Sequence, residues 1–327
     1  MSCKITQFIS NRQSQQFYDE KDESSILFRE ACLCLHDGDL SMAAFMKAHP
    51  YLIKASELNH PKATYFLAEM YYYGKGVKKD YEKARKFYEK ALLLGEEDAI
   101  PALGTIYYFG FGVEKNYPKA LFYFEQAAAN GSVRAMHNIA IQYTFGQGVN
   151  VDPEKAIEYY LKAAELGCNE SIFNLGLLYF EGKIVKQNYI QALKYFEEGC
   201  AKEDHKSMYF LGKMYREGKG VPVNYEKARQ YFEKAADHGN IDALYDLGVM
   251  SCDGSEQEKD YLQAIKFFKR AAGKGSAESI YNLGILYMNG NGVQPNFRKA
   301  KKYFIEACKR GIPEACHILE DIRKKKI

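Results

Sequence analysis

The sequence of 327 residues has no tryptophan, little net charge and no long apolar run. Its 45 basic and 42 acidic residues leave a formal charge of only +3. A strong nucleic-acid binder needs a dense basic face, so this balance argues against that class. A helix that spans a membrane needs about 18 consecutive apolar residues, and none is present, so no membrane insertion is expected.

Other features that are absent limit the function further. The first residues lack the basic-then-apolar order of a secretory signal, so a cytoplasmic location is expected. The eight cysteines form no CxxC motif and no Cys/His cluster with metal-ligand spacing. Most are therefore expected to be reduced thiols, and no cofactor is expected. No Ser-His-Asp motif or pair of catalytic carboxylates stands out, so no enzymatic activity is predicted.

The sequence does contain a pattern that recurs every 36 residues without insertion or deletion. A stack of like units has no natural internal boundary, so residues 25–327 are predicted to form a single solenoid. Residues 1–24 are polar and aperiodic, and they are predicted to be a flexible leader. A degenerate repeat at 25–60 precedes clear repeats at 61–96, 97–132, 133–168, 169–204, 205–240, 241–276 and 277–312, and a capping helix at 313–327 follows them.

Each repeat predicts two helices joined by a link that contains glycine. The first helix carries Leu-Gly-x-x-Tyr, as in Leu211, Gly212 and Tyr215, with leucine and tyrosine on one face. Glycine inside a helix costs about 1 kcal/mol relative to alanine, so its recurrence suggests close approach of the partner helix. The link reads Gly-x-Gly-Val, and its first glycine can end a helix in the left-handed conformation. An Asp or Asn N-cap followed by Ala-x-x-x-Phe-x-x-Ala marks the second helix.

These residues resemble the Sel1-like repeat family, a relative of the tetratricopeptide repeat. The matching motif is A-x-x-x-L-G-x-x-Y-x-x-G-x-G-V-x-x-D/N-x-x-K-A-x-x-Y/F-F-x-K-A-A-x-x-G, which the repeat at 205–240 follows with Ser207 for the first alanine. The resemblance extends over about residues 25–312. It implies an all-α fold, an α-solenoid of stacked antiparallel helix pairs in a right-handed superhelix. It also implies a non-enzymatic adaptor or scaffold that binds protein partners.

The resemblance also bears on the cysteines. Some secreted members of the family tie each helix pair with two cysteines eight residues apart. In this sequence Cys308 and Cys316 have that spacing, whereas Cys200 lacks a mate because position 208 is Met208. The chain therefore looks unlike the secreted cysteine-rich branch, and a single Cys308–Cys316 disulfide stays an open alternative.

By analogy with tetratricopeptide stacks, the first helices are expected to line a concave groove. The two columns just before the recurring leucine carry aromatic, histidine and asparagine residues, which suit a partner peptide or helix. Packing between neighbouring repeats is the alternative explanation for the aromatic residues. The predicted partner-binding residues are Tyr65, His137, Asn138, Phe173, Asn174, Tyr209, Tyr245, Asp246, Tyr281 and Asn282.

Three functions are compatible with this pattern. The first is an adaptor that binds a segment of a partner protein in the groove. The second is an RNA-binding array of helical repeats, which the near-neutral charge disfavours. The third is an exported effector that acts on host proteins. No motif identifies the partner or the oligomeric state.

Overall fold

A computed structural model of the protein describes residues 22–35, 41–254 and 259–324. Within these ranges the chain forms seventeen α-helices and no β-strand. The all-α fold predicted from the sequence is therefore confirmed. Most of the predicted leader, residues 1–21, lies outside the described residues, and the first helix begins at Glu23.

The helices are numbered in chain order and fall into pairs, followed by one unpaired helix. They are α1 (Glu23–Cys34), α2 (Met42–Glu57), α3 (Pro61–Tyr73), α4 (Tyr81–Leu93), α5 (Ala99–Phe109), α6 (Tyr117–Ala129), α7 (Val133–Phe145), α8 (Pro153–Glu165), α9 (Asn169–Glu181), α10 (Tyr189–Ala201), α11 (His205–Glu217), α12 (Tyr225–Asp237), α13 (Ile241–Asp253), α14 (Tyr261–Gly273), α15 (Ala277–Asn289), α16 (Phe297–Lys309) and α17 (Pro313–Lys324). Odd-numbered helices up to α15 are the first helices of repeats, and even-numbered helices are the second.

Local signals in the sequence set the ends of these helices. The Asp80 carboxylate caps α4 by accepting a hydrogen bond from the backbone N–H of Lys83 at 3.0 Å. Pro153 occupies the first position of α8, where the missing N–H costs nothing. The first helices end at glycines such as Gly74, whose φ of 72° lies in the left-handed region. These are the caps that the repeated sequence predicts.

The helix pairs stack in two compact units, the first ending at Cys168 and the second beginning at Asn169. In the first unit, four pairs from α1–α2 to α7–α8 follow one another, and each second helix also contacts the next first helix. The second unit contains the pairs α9–α10 to α15–α16 in the same arrangement, and α17 packs against α16. Each unit is therefore a solenoid of helix pairs, the fold that the sequence predicts, and a single solenoid over residues 25–327 stays a prediction.

The recurring glycine of the first helix makes room for a ring of the second helix. A Cβ atom added to Gly212 would lie 2.6 Å from the Phe232 ring, which is fully buried. Equivalent contacts join Gly104 to Phe124, Gly176 to Phe196, Gly248 to Phe268 and Gly284 to Phe304. The two repeats with alanine at this position, Ala68 and Ala140, have a buried tyrosine instead, Tyr88 and Tyr160. The close approach of the two helices is thus confirmed.

The second glycine of the link touches the start of the preceding repeat's second helix. A Cβ atom at Gly112 would lie 2.6 Å from the backbone nitrogen of Glu82, and one at Gly292 would lie 2.6 Å from the Cβ of Tyr261. Backbone contact of this kind leaves no space for a side chain. The link is therefore packed against a neighbouring repeat as well as against its own.

A second set of ring contacts joins the two helices of a repeat. The Tyr107 and Tyr123 rings stack with centres 5.8 Å apart. The Lys119 amine lies 4.1 Å from the centre of the Tyr107 ring and donates a hydrogen bond to its hydroxyl at 2.7 Å. The equivalent lysine–tyrosine pairs are Lys83–Tyr71, Lys155–Tyr143, Lys227–Tyr215 and Lys299–Tyr287. Cation–π contacts of this type are worth about 0.5–1 kcal/mol at exposed sites.

The last helix, α17, closes the second unit. Ala315 is buried against the preceding repeat, whereas Glu314 and Glu320 are exposed. A disulfide joins Cys308 of α16 to Cys316 of α17, with their Cα atoms 5.0 Å apart. The other cysteines among the described residues, at positions 32, 34, 168, 200 and 252, are half-buried.

Candidate functional site

The first helices have one face that the packing of repeats does not bury. In α11 the residues Lys206, Phe210, Lys213 and Glu217 follow one another at spacings of three or four, so they share one side of the helix. Leu211 on the opposite side is fully buried. This face therefore combines an aromatic ring with charged groups that solvent or a ligand can reach.

A cavity of about 600 Å³ opens beside this face in the second unit. It lies where α11, α13 and α15 begin, and we call it the helix-start cavity. Its lining residues are Phe173, His205, Lys206, Tyr209, Phe210, Gly239, Asn240, Ile241, Asp242, Lys274, Gly275, Ser276 and Glu278. The lining thus draws on four consecutive repeats of the second unit.

The floor of the helix-start cavity is aromatic. The Phe210 ring contacts the Phe173 ring edge to face, with centres 5.5 Å apart, and the Tyr209 ring at 5.6 Å. All three side chains are half-buried, so part of each ring faces the cavity. Such rings offer a large apolar contact area at little cost in side-chain entropy.

The rim of the helix-start cavity carries two lysines. The Lys206 amine lies 5.6 Å from the centre of the Phe173 ring, and the Lys274 amine lies beside Gly239. Neither amine forms an ion pair with a carboxylate within the described ranges. The two carboxylates of the lining belong to the first turns of α13 and α15, where the helix dipole already stabilises them. The rim therefore has two cations available to an acidic group.

An ion pair lies next to the cavity and joins two consecutive first helices. Arg216 donates a hydrogen bond to the Asp246 carboxylate at 2.8 Å, and Asp246 is 7% exposed. Burial and the nearby Asp246 carboxylate raise the pKa of Tyr209 well above its usual value. Asp246 therefore has partners within the protein, although it was predicted as a binding residue. Its role in binding a partner stays a prediction.

The aromatic column predicted to line the groove packs inside its own repeats. Each ring contacts the core ring of the following second helix, with centres 5.6–6.0 Å apart. The pairs are Tyr65–Tyr88, His137–Tyr160, Phe173–Phe196, Tyr209–Phe232, Tyr245–Phe268 and Tyr281–Phe304. Packing was the alternative explanation for this column, and it does bury part of each of these side chains. Tyr65 is buried and the others are half-buried.

The predicted binding residues are divided between the two units. Tyr65, His137 and Asn138 belong to the first unit, and the remainder belong to the second. Asn138, Asn174 and Asn282 are half-buried on their first helices. Of all the predicted residues, Phe173 and Tyr209 line the helix-start cavity.

Eleven of the thirteen lining residues were not among those predicted, including Lys206, Phe210 and Lys274. Phe210 lies in the same column as the predicted asparagines, so its position was a usable signal. Lys274 comes just before α15 and reaches the cavity only because neighbouring repeats stack. Within the described ranges, no group of three or more His, Cys, Asp or Glu side chains could hold a metal ion. No described helix is both long and apolar enough to cross a membrane.

Comparison with known proteins identifies the repeat and its relatives. The family model of the Sel1 repeat matches residues 61–96, 99–132, 133–168, 169–204, 205–240, 241–276 and 277–312. No curated protein sequence matches the chain. The solved structure of c5321, a protective antigen of uropathogenic Escherichia coli strains with an SLR fold, is 27% identical, with a TM-score of 0.71 over 98% of this chain and 67% of that protein.

Two further solved structures share the fold. A Sel1 repeat protein from Oxalobacter formigenes is 26% identical, with a TM-score of 0.74 over 97% of this chain and 90% of that protein. Yeast Tom70 is 16% identical, with a TM-score of 0.53 over 94% of this chain and 66% of that protein. The likeness to Tom70 concerns the fold alone.

Proposed function

Because this chain belongs to the Sel1 repeat family, we propose that it is a non-enzymatic scaffold that binds a segment of a partner protein in the helix-start cavity. One observation carries the proposal: the floor of Phe173, Tyr209 and Phe210 lies beside Lys206 and Lys274, which have no carboxylate partners among the described residues. A peptide with an apolar side chain next to an acidic one matches both features. The family's repeat is typical of scaffolds for protein interactions, which supports the same function.

The expected affinity of the cavity alone is modest. Burial of one large apolar side chain contributes about 1.5–3 kcal/mol, and a hydrogen bond to a charged group adds about 1.5–3 kcal/mol. Their sum corresponds to a dissociation constant between about 40 µM and 6 mM. Tighter binding needs further contacts along α11, where Lys213 and Glu217 continue the same face. The partner segment is therefore expected to lie along α11 as well as in the cavity.

Peptide selection tests this proposal. A random peptide library is panned on the immobilised full chain, and the affinities of selected peptides are measured by fluorescence anisotropy. Phe210→Ala and the double variant Lys206→Glu/Lys274→Glu should each weaken binding at least about tenfold, as expected for anchor contacts. Phe122→Ala is the matched control, because Phe122 is 55% exposed on α6 of the first unit. Circular dichroism checks that every variant is folded.

The selected sequences are informative by themselves. We expect an apolar residue next to Asp or Glu in most of them. If the peptides bind wild type and both cavity variants with equal affinity, the binding site lies outside the helix-start cavity. A library that yields no specific binder would contradict the scaffold function for peptide segments.

A further inference from the structure

The link edge of the first unit carries exposed apolar side chains that the proposed function does not use. We define this edge by the last residues of the first helices, the links that follow them and the starts of the second helices. Its exposed apolar residues, with their exposed fractions, are Met42 (57%), Met46 (62%), Tyr73 (38%), Phe109 (51%), Phe145 (67%) and Val151 (47%). Each of the four repeats of this unit contributes at least one of them.

These side chains belong to a connected surface. The backbone N–H of Gly76 donates a hydrogen bond to the Met42 sulfur at 3.3 Å. This contact places the link between α3 and α4 beside the start of α2. The Phe111 ring stacks on Phe109 with centres 5.3 Å apart, and on Tyr81 at 4.7 Å. The following repeat joins the same edge through Gln147, which accepts a hydrogen bond from the Tyr108 hydroxyl at 2.8 Å.

Lysines are interleaved with these rings. The Lys75 amine lies 5.9 Å from the centre of the Tyr73 ring, and the Lys79 amine lies 5.5 Å from that of Tyr81. Lys75, Lys78 and Lys79 follow one another in the same link, and none of them has a carboxylate partner within the described ranges.

The carboxylates on this edge are mostly neutralised. Asp80 caps α4 and lies 3.9 Å from the Lys83 amine, and Glu82 pairs with Lys86 at 2.7 Å. Glu114 of the next link is adjacent in sequence to a further lysine. The edge therefore carries an excess of unpaired positive charge next to its exposed rings.

The same column has different chemistry in the second unit. The positions that hold Tyr73, Phe109 and Phe145 in the first unit correspond to Glu181, Glu217, Asp253 and Asn289 in the second. A general need of the repeat would give similar residues in every copy. Exposed rings at the ends of the first helices are thus particular to the first unit. The second unit exposes apolar residues at other positions of its links and second helices, such as Ile190, Val223 and Phe297.

We propose that the link edge of the first unit binds the surface of an anionic lipid bilayer. Aromatic side chains prefer the headgroup level of a membrane, and lysines close to an anionic surface add electrostatic attraction. The apolar residues lie at or near helix ends, one repeat after another, rather than around a shared pocket. A fluid lipid surface accepts such separate side chains without a fitted complement. The contact involves side chains at one edge, and none of the described helices crosses the bilayer.

Vesicle flotation with the full chain tests the proposal. The probes are vesicles of phosphatidylcholine alone and vesicles of phosphatidylcholine mixed with phosphatidylglycerol. Wild type should float with the mixed vesicles and much less with the neutral ones. Each lysine contributes about fivefold near an anionic surface, so Lys75→Glu/Lys78→Glu/Lys79→Glu should lower binding by about 100-fold or more. Phe109→Ser/Phe145→Ser should also abolish flotation.

Matched controls distinguish vesicle binding through the link edge from non-specific binding by any exposed apolar side chain. Phe122→Ser removes a phenylalanine that is 55% exposed on α6, and Leu93→Ser removes a leucine that is 88% exposed at the far end of α4. Both controls should float like wild type. If the double phenylalanine variant fails to fold by circular dichroism, Phe145→Ser alone, at the most exposed of these rings, provides the comparison.

Three results would overturn the proposal. One is a wild type that floats with neither kind of vesicle. Another is undiminished flotation of a folded Phe109→Ser/Phe145→Ser variant. The third is a dimer of wild type, seen by analytical ultracentrifugation, that the same variant dissociates, because a second copy would then cover the edge. Binding of selected peptides to the helix-start cavity should be unchanged in this variant, so the two proposals fail independently.

Discussion

The Phe232 ring occupies the place that a Cβ atom on Gly212 would need, at a distance of only 2.6 Å. We therefore expect Gly212→Ala to lower the free energy of unfolding by about 1 kcal/mol. Overpacking a rigid core costs about 1–3 kcal/mol, which outweighs the gain of about 1 kcal/mol from better helix propensity. Urea denaturation of the full chain measures the change. Adding Phe232→Leu to Gly212→Ala should recover part of the loss.

Gly273 is the matched control for this substitution. It also lies in a helix, but a Cβ atom added there would have no neighbour within 4 Å. Gly273→Ala should therefore raise the free energy of unfolding by up to about 1 kcal/mol. The same sign for both substitutions would show that the contact with Phe232 does not decide the outcome.

The ion pair between Arg216 and Asp246 should stabilise the second unit. Asn138, Asn174 and Asn282 occupy the equivalent position in other repeats, so Asp246→Asn fits sterically. Removing one partner of a buried pair costs about 3–5 kcal/mol. The Arg216 side chain is 25% exposed, so we expect a smaller loss of about 1–2 kcal/mol.

A double-mutant cycle isolates this pair. Asp246→Asn, Arg216→Met and the double variant are compared by urea denaturation. The coupling free energy should be at least about 0.5 kcal/mol, as for residues in direct contact. Additive losses would mean that the pair contributes nothing beyond the packing of each side chain.

Stability should fall at alkaline pH because of Tyr88, which is buried, and Tyr72, which is half-buried. Burial, with smaller effects of Tyr73 and Tyr81, raises the pKa of Tyr72 to about 12. Burial and the charge of Glu69 raise the pKa of Tyr88 as well. The folded chain keeps protons that the unfolded chain loses above about pH 10. This contribution is therefore complete below pH 10 and is lost as the pH rises towards 12.

Thermal unfolding at pH 9 and pH 11 measures this effect. Wild type should lose more stability between the two pH values than Tyr72→Phe, in which one of the titrating hydroxyls is absent. Lysines titrate equally in both proteins and cancel in the comparison. An identical loss in wild type and variant would mean that Tyr72 titrates normally in the folded state.

The Cys308–Cys316 disulfide should hold the last helix in place. Closing a loop of this length stabilises a protein by about 2–3 kcal/mol in the chain-entropy account. A reducing agent should therefore lower the melting temperature of wild type, and Cys308→Ser/Cys316→Ser should melt at one temperature with or without it. Alkylation followed by mass spectrometry counts the free thiols directly. Labelling of both cysteines without prior reduction would show that the bond does not form.

Much of the fold could be predicted because its determinants are local. Asp80 and Pro153 specify where helices begin, and Gly74 specifies where one ends, through interactions within a few residues of the chain. The cost of glycine inside a helix made Gly212 a sign of close packing. Because the pattern recurs every 36 residues, the helix boundaries predicted for one repeat apply to the others.

The site was less predictable because it depends on rotation and stacking. Tyr209 and Phe210 differ by about 100° around α11, so they face different neighbours. Tyr209 packs on Phe232 of its own repeat and Phe210 packs on Phe196 of the preceding repeat, yet both rings line the cavity. Lys274 is distant from Lys206 in sequence, and only the stacking of repeats brings both to one cavity. No local pattern encodes that proximity.

The contact of the second link glycine has a consequence for how such a chain can change in evolution. Gly112 touches the preceding repeat at Tyr81 and Glu82, so one residue added to the link would displace it from both. When a whole repeat is gained or lost, the repeats that become neighbours meet through equivalent residues. Contacts of this kind are then preserved. Duplication of complete repeats is therefore the tolerated route to a longer or shorter protein. Growth by single insertions is blocked at every junction of this type.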